Sequence, residues 1–512
     1  MRPRLKFVAT LAAMLASFAL ATPSTAQNAA SIDWNKIDSE ALGYFQDYLR
    51  FDTTNPPSNT AAAIAYLKNI LDKEGIASET FESKPGMVSL IARLPGPPGV
   101  KPMLLMSHAD VVPIAAANWT HPAFGAELSG GYVYARGAID NKAHGIMALM
   151  TMIALKRNRV ALRRGVEMMV NPDEEAGGDN GAKWMVEKHW DAIDPAFAFN
   201  EGGDGAPGWL GIHGTTFTVA VSEKRVNWLH ISVRGKGGHG SVPKPDNPNL
   251  ILINALHRLL EHQPPVRLTK IFSDAMATIA PLEPFPASLQ LAHLDWPGMP
   301  EVAMRGVLSP YNTQALMHDT ISLTMLNAGF KVNVVPTTAD AALDCRLLPG
   351  TDADAFLKGL REQLGKGDFT IEYIQRPDDA PPSPSSGEAW DAIKRVVAGD
   401  FKDARVVPWM TTGGTDSRFI REKGVPAYGF VPVILAQGEI ARVHGDDERL
   451  SVENLNVGIK ATYDLTIDLC AAKKSSRHFA GASARAERND QMRGSRRLAG
   501  DGAGAIAIVN SS

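Results

Sequence analysis

Cysteine is nearly absent from this chain of 512 residues, which contains only Cys345 and Cys470. Two cysteines cannot build a disulfide framework, although these two could pair with each other. Any metal site in the chain would therefore have to use histidine and carboxylate ligands instead of thiolates. The scarcity of cysteine excludes a small disulfide-stabilised architecture and a cysteine-ligated metal site.

A strong net charge is also missing. The chain has 52 Lys and Arg against 55 Asp and Glu, a formal net charge of -3. This balance gives no reason to expect a nucleic-acid partner or an anionic membrane surface. Hydrophobic residues at 45% and charged residues at 21% are ordinary for a soluble globular protein. Because single cores stop growing at about 250–300 residues, the length predicts at least two domains.

One long apolar run is present, at the amino terminus. Three basic residues within the first six positions precede the run 7–21, and small residues follow up to Ala26. This order is typical of a secretory signal peptide, here 1–26. The alternative is a transmembrane anchor, but the run is short for a helix that needs about 20 apolar residues. We expect periplasmic or secreted export, cleavage near Ala26, and no stable membrane anchor.

The first part of the chain alternates between helical and strand-like patterns. Apolar residues recur at helical spacing over 31–71, interrupted by the loop signal T-T-N-P-P-S at 53–58. The Ala- and Met-rich run 146–153 is typical of a buried helix. Short apolar runs predict strands at 88–94, 103–106, 166–170 and 196–199. Strands that alternate with helices predict an α/β domain with a mostly parallel central sheet.

The pattern changes near residue 223. A strand, a helix, two strands, a helix and a strand are predicted at 228–233, 250–260, 330–335, 340–347, 352–364 and 370–374. This order predicts a ferredoxin-like α+β insert. The Pro-rich segment 263–320 is expected to be an irregular elaboration of that insert. From residue 387 the α/β pattern resumes, and it ends near residue 470.

The predicted organisation therefore has a discontinuous α/β domain. Its parts are a signal peptide 1–26, a first α/β segment 31–222, an insert 223–376, a second α/β segment 377–470 and a tail 471–512. The tail is rich in basic residues, glycine and alanine without periodicity, which predicts disorder. A basic arm that binds acidic partners is the alternative for the tail.

Imidazole and carboxylate side chains recur directly after the predicted strands. His108 and Asp110 follow the strand 103–106, and Glu201 follows the strand 196–199. Glu174 and Glu175 follow the strand 166–170. Open α/β sheets bind their ligands at the carboxyl ends of the strands, where these side chains would meet. Two further positions, Asp140 in G-A-I-D-N-K and His444 in H-G-D-D-E-R-L, carry the same side-chain types.

These side chains suit a site for two metal ions. A carboxylate such as Asp140 has two oxygens and can bridge two cations. Adjacent acids such as Glu174 and Glu175 repel unless a cation or a proton separates them. Singly, these residues are equally compatible with a core histidine, a turn or cap aspartate, and an exposed acidic turn. Five such positions beside turn-forming residues together predict a two-metal hydrolase site.

The same residues carry a resemblance to a known family. The motifs H-A-D, G-A-I-D-N-K, D-E-E-A-G-G, N-E-G-G and H-G-D-D-E-R resemble, in order and spacing, those of the M20 metallopeptidases and aminoacylases. The match runs from about residue 35 to 470. The N-E-G-G form and the long insert are most similar to carboxypeptidase S and the secreted N-acyl-amino-acid hydrolases. The resemblance implies a zinc-hydrolase catalytic domain with an inserted lid or dimerisation domain.

The resemblance implies two zinc ions per subunit, with cobalt or manganese as substitutes. Asp140 would bridge the two ions. His108 and Glu201 would complete one site, and Glu175 and His444 would complete the other. The family also has a cis peptide bond after its bridging aspartate, which corresponds here to Asp140–Asn141.

Three catalytic roles also follow from the resemblance. Glu174 would take a proton from the attacking water and return it to the leaving amine. Asp110 would fix the tautomer of His108. His239, in G-K-G-G-H-G-S, would steady the tetrahedral oxyanion, often from a partner subunit. A turn cap is the alternative for His239.

Substrate-binding positions are implied in the same way. Asn333 in K-V-N-V-V-P and Arg346 in D-C-R-L-L-P-G resemble the pair that holds the substrate carboxylate. A guanidinium group meets a carboxylate through two hydrogen bonds, although Arg346 could instead pair only with Asp344. Gly414 in T-G-G-T-D-S-R resembles a loop that lines the substrate pocket.

The sequence thus predicts a di-zinc hydrolase that cleaves an amide bond next to a free carboxylate. The expected substrate is a small peptide or an N-acyl amino acid, so the enzyme would be a carboxypeptidase or an N-acyl-amino-acid amidohydrolase. A dipeptidase is the next choice. A non-catalytic metal- or peptide-binding protein is the alternative from another class, and the presence of Glu174 argues against it. The insert could form a homodimer or close over its own subunit.

Overall fold

The computed structural model of the protein describes residues 32–378 and 380–472. The predicted signal peptide, and the predicted tail beyond residue 472, lie outside the described residues. Within the described part of the chain, no helix is both long enough and apolar enough to cross a membrane.

Helices and strands are numbered here in chain order. The helices are α1 (Trp34–Leu49), α2 (Ala61–Lys73), α3 (Lys142–Arg157), α4 (Ala182–Lys188), α5 (Pro248–Glu261), α6 (Lys270–Ile279), α7 (Ala287–Ala292), α8 (Met299–Met304), α9 (Tyr311–Gln314), α10 (Ala353–Leu364), α11 (Glu388–Asp400), α12 (Ser417–Glu422), α13 (Gln437–Ile440) and α14 (Val452–Cys470). The strands are β1 (Ala77–Lys84), β2 (Met87–Leu94), β3 (Met103–His108), β4 (Glu127–Ser129), β5 (Tyr132–Tyr134), β6 (Val166–Asn171), β7 (Phe197–Asn200), β8 (Gly205–Pro207), β9 (Thr215–Glu223), β10 (Arg225–Arg234), β11 (Gly238–His239), β12 (Thr320–Asn327), β13 (Val334–Val335), β14 (Thr338–Leu347), β15 (Phe369–Gln375), β16 (Ala404–Thr411), β17 (Ala427–Gly429) and β18 (Arg449–Ser451).

The largest sheet of the described residues runs in the order β1-β2-β6-β3-β7-β17-β9-β16, with β8 paired to β9. The central strands β6, β3, β7 and β17 are parallel, as are β9 and β16. Antiparallel pairs join β1 to β2, β2 to β6 and β17 to β9. The predicted α/β fold with a mostly parallel central sheet is confirmed.

Both faces of this sheet are covered, which explains the continuous apolar run of β3. Met103 and Leu105 pack into the core that contains α1, α3 and α14. Leu104 and Met106 pack on the other face, with α4 and α12. A central parallel strand is buried on both faces, so its sequence lacks polar alternation.

A second sheet, β12-β14-β10-β15, is antiparallel throughout. Helices α5 and α10 pack against it, and its chain order β10-α5-β12-β14-α10-β15 is the predicted ferredoxin-like order. The predicted position of one strand was wrong. The strand predicted at 330–335 lies instead at Thr320–Asn327, and only Val334–Val335 pairs, with β11. Apolar residues misled the prediction because Phe330 and Val332 are exposed.

The prediction that segment 263–320 is irregular was also wrong. The segment contains helices α6 to α9, and apolar side chains of α6, α7 and α8 form one core with Val407 and Met410 of β16. Prolines lie at the starts of three of these short helices, where the missing N–H leaves no helical bond unmade. The same prolines made the sequence look like loop.

A small sheet, β18-β5-β4, links the late part of the chain to the early part. Arg449 of β18 lies opposite Tyr134 of β5, which brings the H-G-D-D-E-R motif beside the loop that carries Asp140. The two cysteines are both buried and free, so Cys345 and Cys470 do not pair.

Candidate metal centre

One cluster of potential ligands lies at the carboxyl ends of β3 and β7. His108 is the last residue of β3, and its Nε2 lies 2.9 Å from Asp140 Oδ1. The same nitrogen lies 3.4 Å from Oε2 of Glu201, which follows β7 directly. Because β3 and β7 are parallel neighbours, their carboxyl ends meet at one edge of the sheet.

A second cluster uses the other oxygen of the same aspartate. His444 Nε2 lies 3.1 Å from Asp140 Oδ2 and 3.1 Å from Glu175 Oε2. In each cluster the three donor atoms lie within 4.8 Å of one another. Asp140 therefore offers one oxygen to each cluster, which is the arrangement required of a ligand that bridges two cations. The Asp140–Asn141 peptide bond is cis, as the resemblance implied.

The loop that carries Asp140 is held by Glu448, a residue that the sequence analysis missed. Its Oε1 accepts hydrogen bonds from the backbone N–H groups of Ile139 (2.7 Å) and Asp140 (3.0 Å). Its Oε2 accepts from the N–H of Gly137 at 3.0 Å and from Arg136 Nη1 at 2.7 Å. Glu448 belongs to the H-G-D-D-E-R motif, so its place in that motif was the signal that could have found it.

Asp110 holds the backbone of the acidic pair. Its carboxylate accepts hydrogen bonds from the N–H groups of Glu174 and Glu175, both at 3.2 Å, and from Asn55 Nδ2 at 2.8 Å. His108 Nδ1 lies 2.9 Å from the backbone oxygen of Asp110 and 3.5 Å from its carboxylate. The main chain of Asp110 is thus the nearer partner of His108, whereas we expected its side chain.

The acidic side chains of the site lie close together, and their pKa values are shifted. Burial, and then the charge of Glu201, raise the pKa of Glu174 well above its usual range. Burial also raises the pKa of Glu175 and of Glu201. For Asp140 burial acts upward, but hydrogen bonds from His108 and His444 hold its pKa below its usual range. Carboxylates packed this closely require protons or cations between them.

The residues fit a pair of zinc ions by their chemistry. Each cluster supplies one imidazole nitrogen and carboxylate oxygens, which are ligand types that zinc takes in proteins. Glu175 Oε1 is buried and lacks a hydrogen-bond partner among the described residues. Buried polar atoms are normally paired, so this oxygen is suited to a cation.

A cavity of about 890 Å³ opens onto both clusters. Asp140, Glu174, Glu175, Glu201 and His444 all line it. Glu174 lines the cavity without belonging to either cluster of potential ligands. A carboxylate in this position can accept a proton from a group held beside the clusters.

Gly414 also lines the cavity, on a loop that begins after β16. A Cβ at this position would lie 2.6 Å from Arg418 Nη1 and 3.2 Å from Val226 Cγ2, so the close packing favours glycine. The loop is fixed by the buried carboxylate of Glu223, which accepts from Thr415 N at 2.5 Å and Thr415 Oγ1 at 2.8 Å.

The three predicted site residues of the insert do not line this cavity in the described part of the chain. His239 is exposed, and its Nδ1 lies 2.7 Å from Ser241 Oγ. The backbone oxygen of Asn333 accepts from the N–H of Gly240, which places Asn333 beside His239. Arg346 Nε donates to Asp344 Oδ1 at 2.6 Å. These three residues stay predictions for the site.

Comparison with known proteins gives the same family as the motifs. The sequence profile of peptidase family M20/M25/M40 matches residues 104–468. Aminoacylase-1 of Sus scrofa is 32% identical over 415 residues, which are 79% of this chain and 89% of that protein. An N-fatty-acyl-amino acid synthase/hydrolase of Bos taurus is 30% identical over 375 residues, which are 72% of this chain and 74% of that protein.

Solved structures agree at the level of the fold. An M20 family metallo-carboxypeptidase of Sulfolobus solfataricus superposes with a TM-score of 0.65 and 18% identity, over 84% of this chain and 99% of that one. A dinuclear metal binding peptidase of the same family from Bacillus subtilis has a TM-score of 0.55 and 16% identity, over 85% and 98% of the two chains. The resemblance drawn from the motifs is confirmed: the chain belongs to peptidase family M20/M25/M40 and is a metallohydrolase of that family.

Proposed function

We propose that the protein is a di-zinc hydrolase that cleaves an amide bond next to a free carboxylate. The observation that carries this proposal is the placement of the two Asp140 oxygens, one toward His108 and one toward His444. In this proposal His108 and Glu201 hold one zinc ion, Glu175 and His444 hold the other, and Asp140 bridges them. Bound zinc would polarise the scissile carbonyl and lower the pKa of the attacking water.

Glu174 is the proposed general base and acid. It lines the cavity, and Asp110 fixes its backbone through the hydrogen bond to Glu174 N. Its raised pKa suits a group that must first accept a proton from water and then release it to the leaving amine. An acid of ordinary pKa would accept the proton less readily.

The proposed substrates are N-acyl amino acids or small peptides with a free carboxylate. Aminoacylase-1 and the N-fatty-acyl-amino acid synthase/hydrolase, both at about 30% identity over most of the chain, support the N-acyl amino acids. The metallo-carboxypeptidase of Sulfolobus solfataricus supports peptides only through the shared fold. A dipeptidase is the second choice within the same chemistry.

A homodimer is proposed for the second sheet. Strand β12 is an edge strand in the described residues, and Met325 on it is 60% exposed. Nearby, Phe330 is 81% exposed, and exposed edge strands with apolar side chains favour pairing with another chain. The role in trans that the resemblance implied for His239 belongs to this proposal. Light scattering should give a dimer mass, and Met325→Lys should shift it toward the monomer; a monomeric wild type would contradict the proposal.

Export is proposed from residues 1–26 alone, because a basic stretch, an apolar run and small residues follow one another there. Amino-terminal sequencing of the protein made in a bacterial host with a secretion pathway should find a mature start just after Ala26. A protein that still begins at Met1 would contradict this proposal.

The hydrolase proposal is tested with Glu174→Gln, which keeps the size of the side chain and removes the base. We expect turnover of N-acyl amino acids to fall by at least about 100-fold, as is typical for loss of a general base. Elemental analysis should still find two zinc ions per chain. Glu187→Gln, at an exposed position, is the matched control and should keep full activity. Turnover within twofold of the wild type in Glu174→Gln would overturn the role of Glu174.

A further inference from the structure

Apart from the acidic clusters, the cavity is walled largely by apolar side chains. They include Met147, Trp209, Leu210, Val307, Leu316 and Trp409. A cavity of about 890 Å³ lies near the top of the range of small-molecule sites, which is about 300–1,000 Å³. The space next to the clusters therefore exceeds what a small acyl group such as acetyl would fill.

The apolar wall is backed by a packed core, so it is formed before any ligand arrives. Trp209 meets Trp409 edge to face, with ring centroids 5.0 Å apart and an interplanar angle of 85°. Phe272 of α6 lies behind, 6.2 Å from the Trp409 ring, and is buried. Val307 and Leu316 belong to the same core, which is built by the helices of segment 263–320. A preformed wall binds a ligand without the cost of ordering loops.

The charges in the cavity decide which end of a substrate it can take. Its lining includes the acids of the two clusters, Glu174 and the further acid Asp204, but neither lysine nor arginine among the described residues. A substrate carboxylate buried there would have neither a lysine nor an arginine as partner and would face other carboxylates. The carboxylate side of the scissile amide must therefore point away from the apolar wall. The acyl side of the amide is then the part of the substrate that contacts the apolar wall.

We propose that this cavity is an acyl-group site for long or bulky apolar acyl chains, with Trp209 and Trp409 as specificity-determining residues. The inference rests on the proposed function, because it assumes that the scissile amide lies at the clusters. It goes further by assigning the acyl group, and not the amino-acid side chain, to the apolar wall formed with segment 263–320.

The first experiment varies the acyl group on one amino acid. N-acetyl-, N-butanoyl- and N-octanoyl-leucine are compared by kcat/KM with the zinc-loaded wild type. Each methylene that enters an apolar pocket contributes about tenfold or more in discrimination, so we expect at least a 100-fold rise from acetyl to octanoyl. A parallel series keeps the octanoyl group and replaces leucine by alanine and glycine, and this series should change kcat/KM much less. A flat acyl series, or a steeper amino-acid series, would overturn the proposal.

The second experiment changes the wall. Trp209→Ala should lower kcat/KM for N-octanoyl-leucine at least tenfold and change that for N-acetyl-leucine less than threefold, whereas Trp209→Phe should restore most of the loss. The control is Trp296→Ala, which removes a tryptophan of the same helical segment that is 46% exposed and does not line the cavity. Equal losses for both substrates in Trp209→Ala would contradict a specificity role.

A binding measurement separates this inference from the proposed function. Calorimetry with zinc-loaded Glu174→Gln should give a Kd for N-octanoyl-leucine at least tenfold below that for N-acetyl-leucine. If that difference is found but the wild type hydrolyses neither compound, the proposed function fails and the acyl site stands. If the wild type hydrolyses both compounds but the two Kd values are equal, the acyl site fails and the proposed function stands.

Discussion

Arg136 and Glu448 form a fully buried ion pair, with 2.7 Å between Arg136 Nη1 and Glu448 Oε2, and their side chains are 2% and 0% exposed. The Glu448 carboxylate also accepts hydrogen bonds from three backbone N–H groups of the loop that ends at Asp140. Every lone-pair direction of this acid is thus used to fix the loop that offers both Asp140 oxygens to the clusters. The pair fixes the loop of a candidate ligand, and neither of its residues is among those that line the cavity.

Removal of Glu448 should therefore weaken both folding and metal binding. Glu448→Ala leaves the Arg136 charge buried and unpaired, and we expect a loss of about 3–5 kcal/mol in the free energy of unfolding. Urea unfolding measures this loss, and elemental analysis should find fewer zinc ions per folded chain. Asp72→Ala, which removes an exposed partner of Lys68, is the control and should cost less than about 1 kcal/mol. Similar losses in the two variants would contradict the role of Glu448.

Metal stoichiometry should follow the division of ligands between the two clusters. His108→Ala should remove one zinc ion per chain, and so should His444→Ala, because each histidine belongs to one cluster. Asp140→Ala should lower the content below one, since Asp140 belongs to both. Elemental analysis after dialysis against buffered zinc gives the counts. His257→Ala, at an exposed site beside Glu261, is the control and should retain two ions; two ions in Asp140→Ala would exclude the bridge.

The grouping of the candidate ligands could be predicted from sequence because strand ends bring them together. His108, Glu175 and Glu201 each follow a buried apolar run, and those runs are adjacent parallel strands, so local pattern and sheet topology point to one edge. Glu448 could not be predicted in the same way. Its function depends on hydrogen bonds to a loop 308 residues earlier in the chain, so only its place in the H-G-D-D-E-R motif pointed to it.

The helices behind the apolar wall of the cavity were not predicted, because prolines lie at their starts. Helices that start at or beside Pro286, Pro300 and Pro310 look like loops in sequence, because proline is counted as a helix breaker although it is tolerated in the first turn. Strand β12 was missed for another reason. It lies at the edge of its sheet, and Met325 and Leu326 are exposed there, so its alternation of apolar and polar residues is lost.

Asp110 should matter for rate more than for metal content. Asp110→Ala removes the acceptor for the N–H groups of Glu174 and Glu175, and the turn that aims Glu174 then loses its support. We expect kcat to fall by about 10–100-fold, the usual loss for a residue that orients active-site groups. Asp110→Asn keeps one acceptor oxygen and should recover part of that rate. If kcat is unchanged while zinc is lost, Asp110 acts only through His108.

We expect the side chain of Asp204 to lower the free energy of unfolding as the pH rises. Burial raises the pKa of its carboxyl from 3.8 to about 6, and no hydrogen bond or ion pair to the carboxylate is present in the described residues. The acid ionises at a lower pH in the unfolded chain than in the folded protein. The free energy of unfolding therefore falls as the pH rises from about 4 to 6, and above that range it is lowered by about 3 kcal/mol. Asp204→Asn removes this cost, and its gain in unfolding free energy should grow by about 1 kcal/mol between pH 5 and pH 8. Urea unfolding of the chelator-treated protein measures it, with exposed Asp295→Asn as the control; a gain equal at both pH values would contradict the raised pKa of the Asp204 carboxyl.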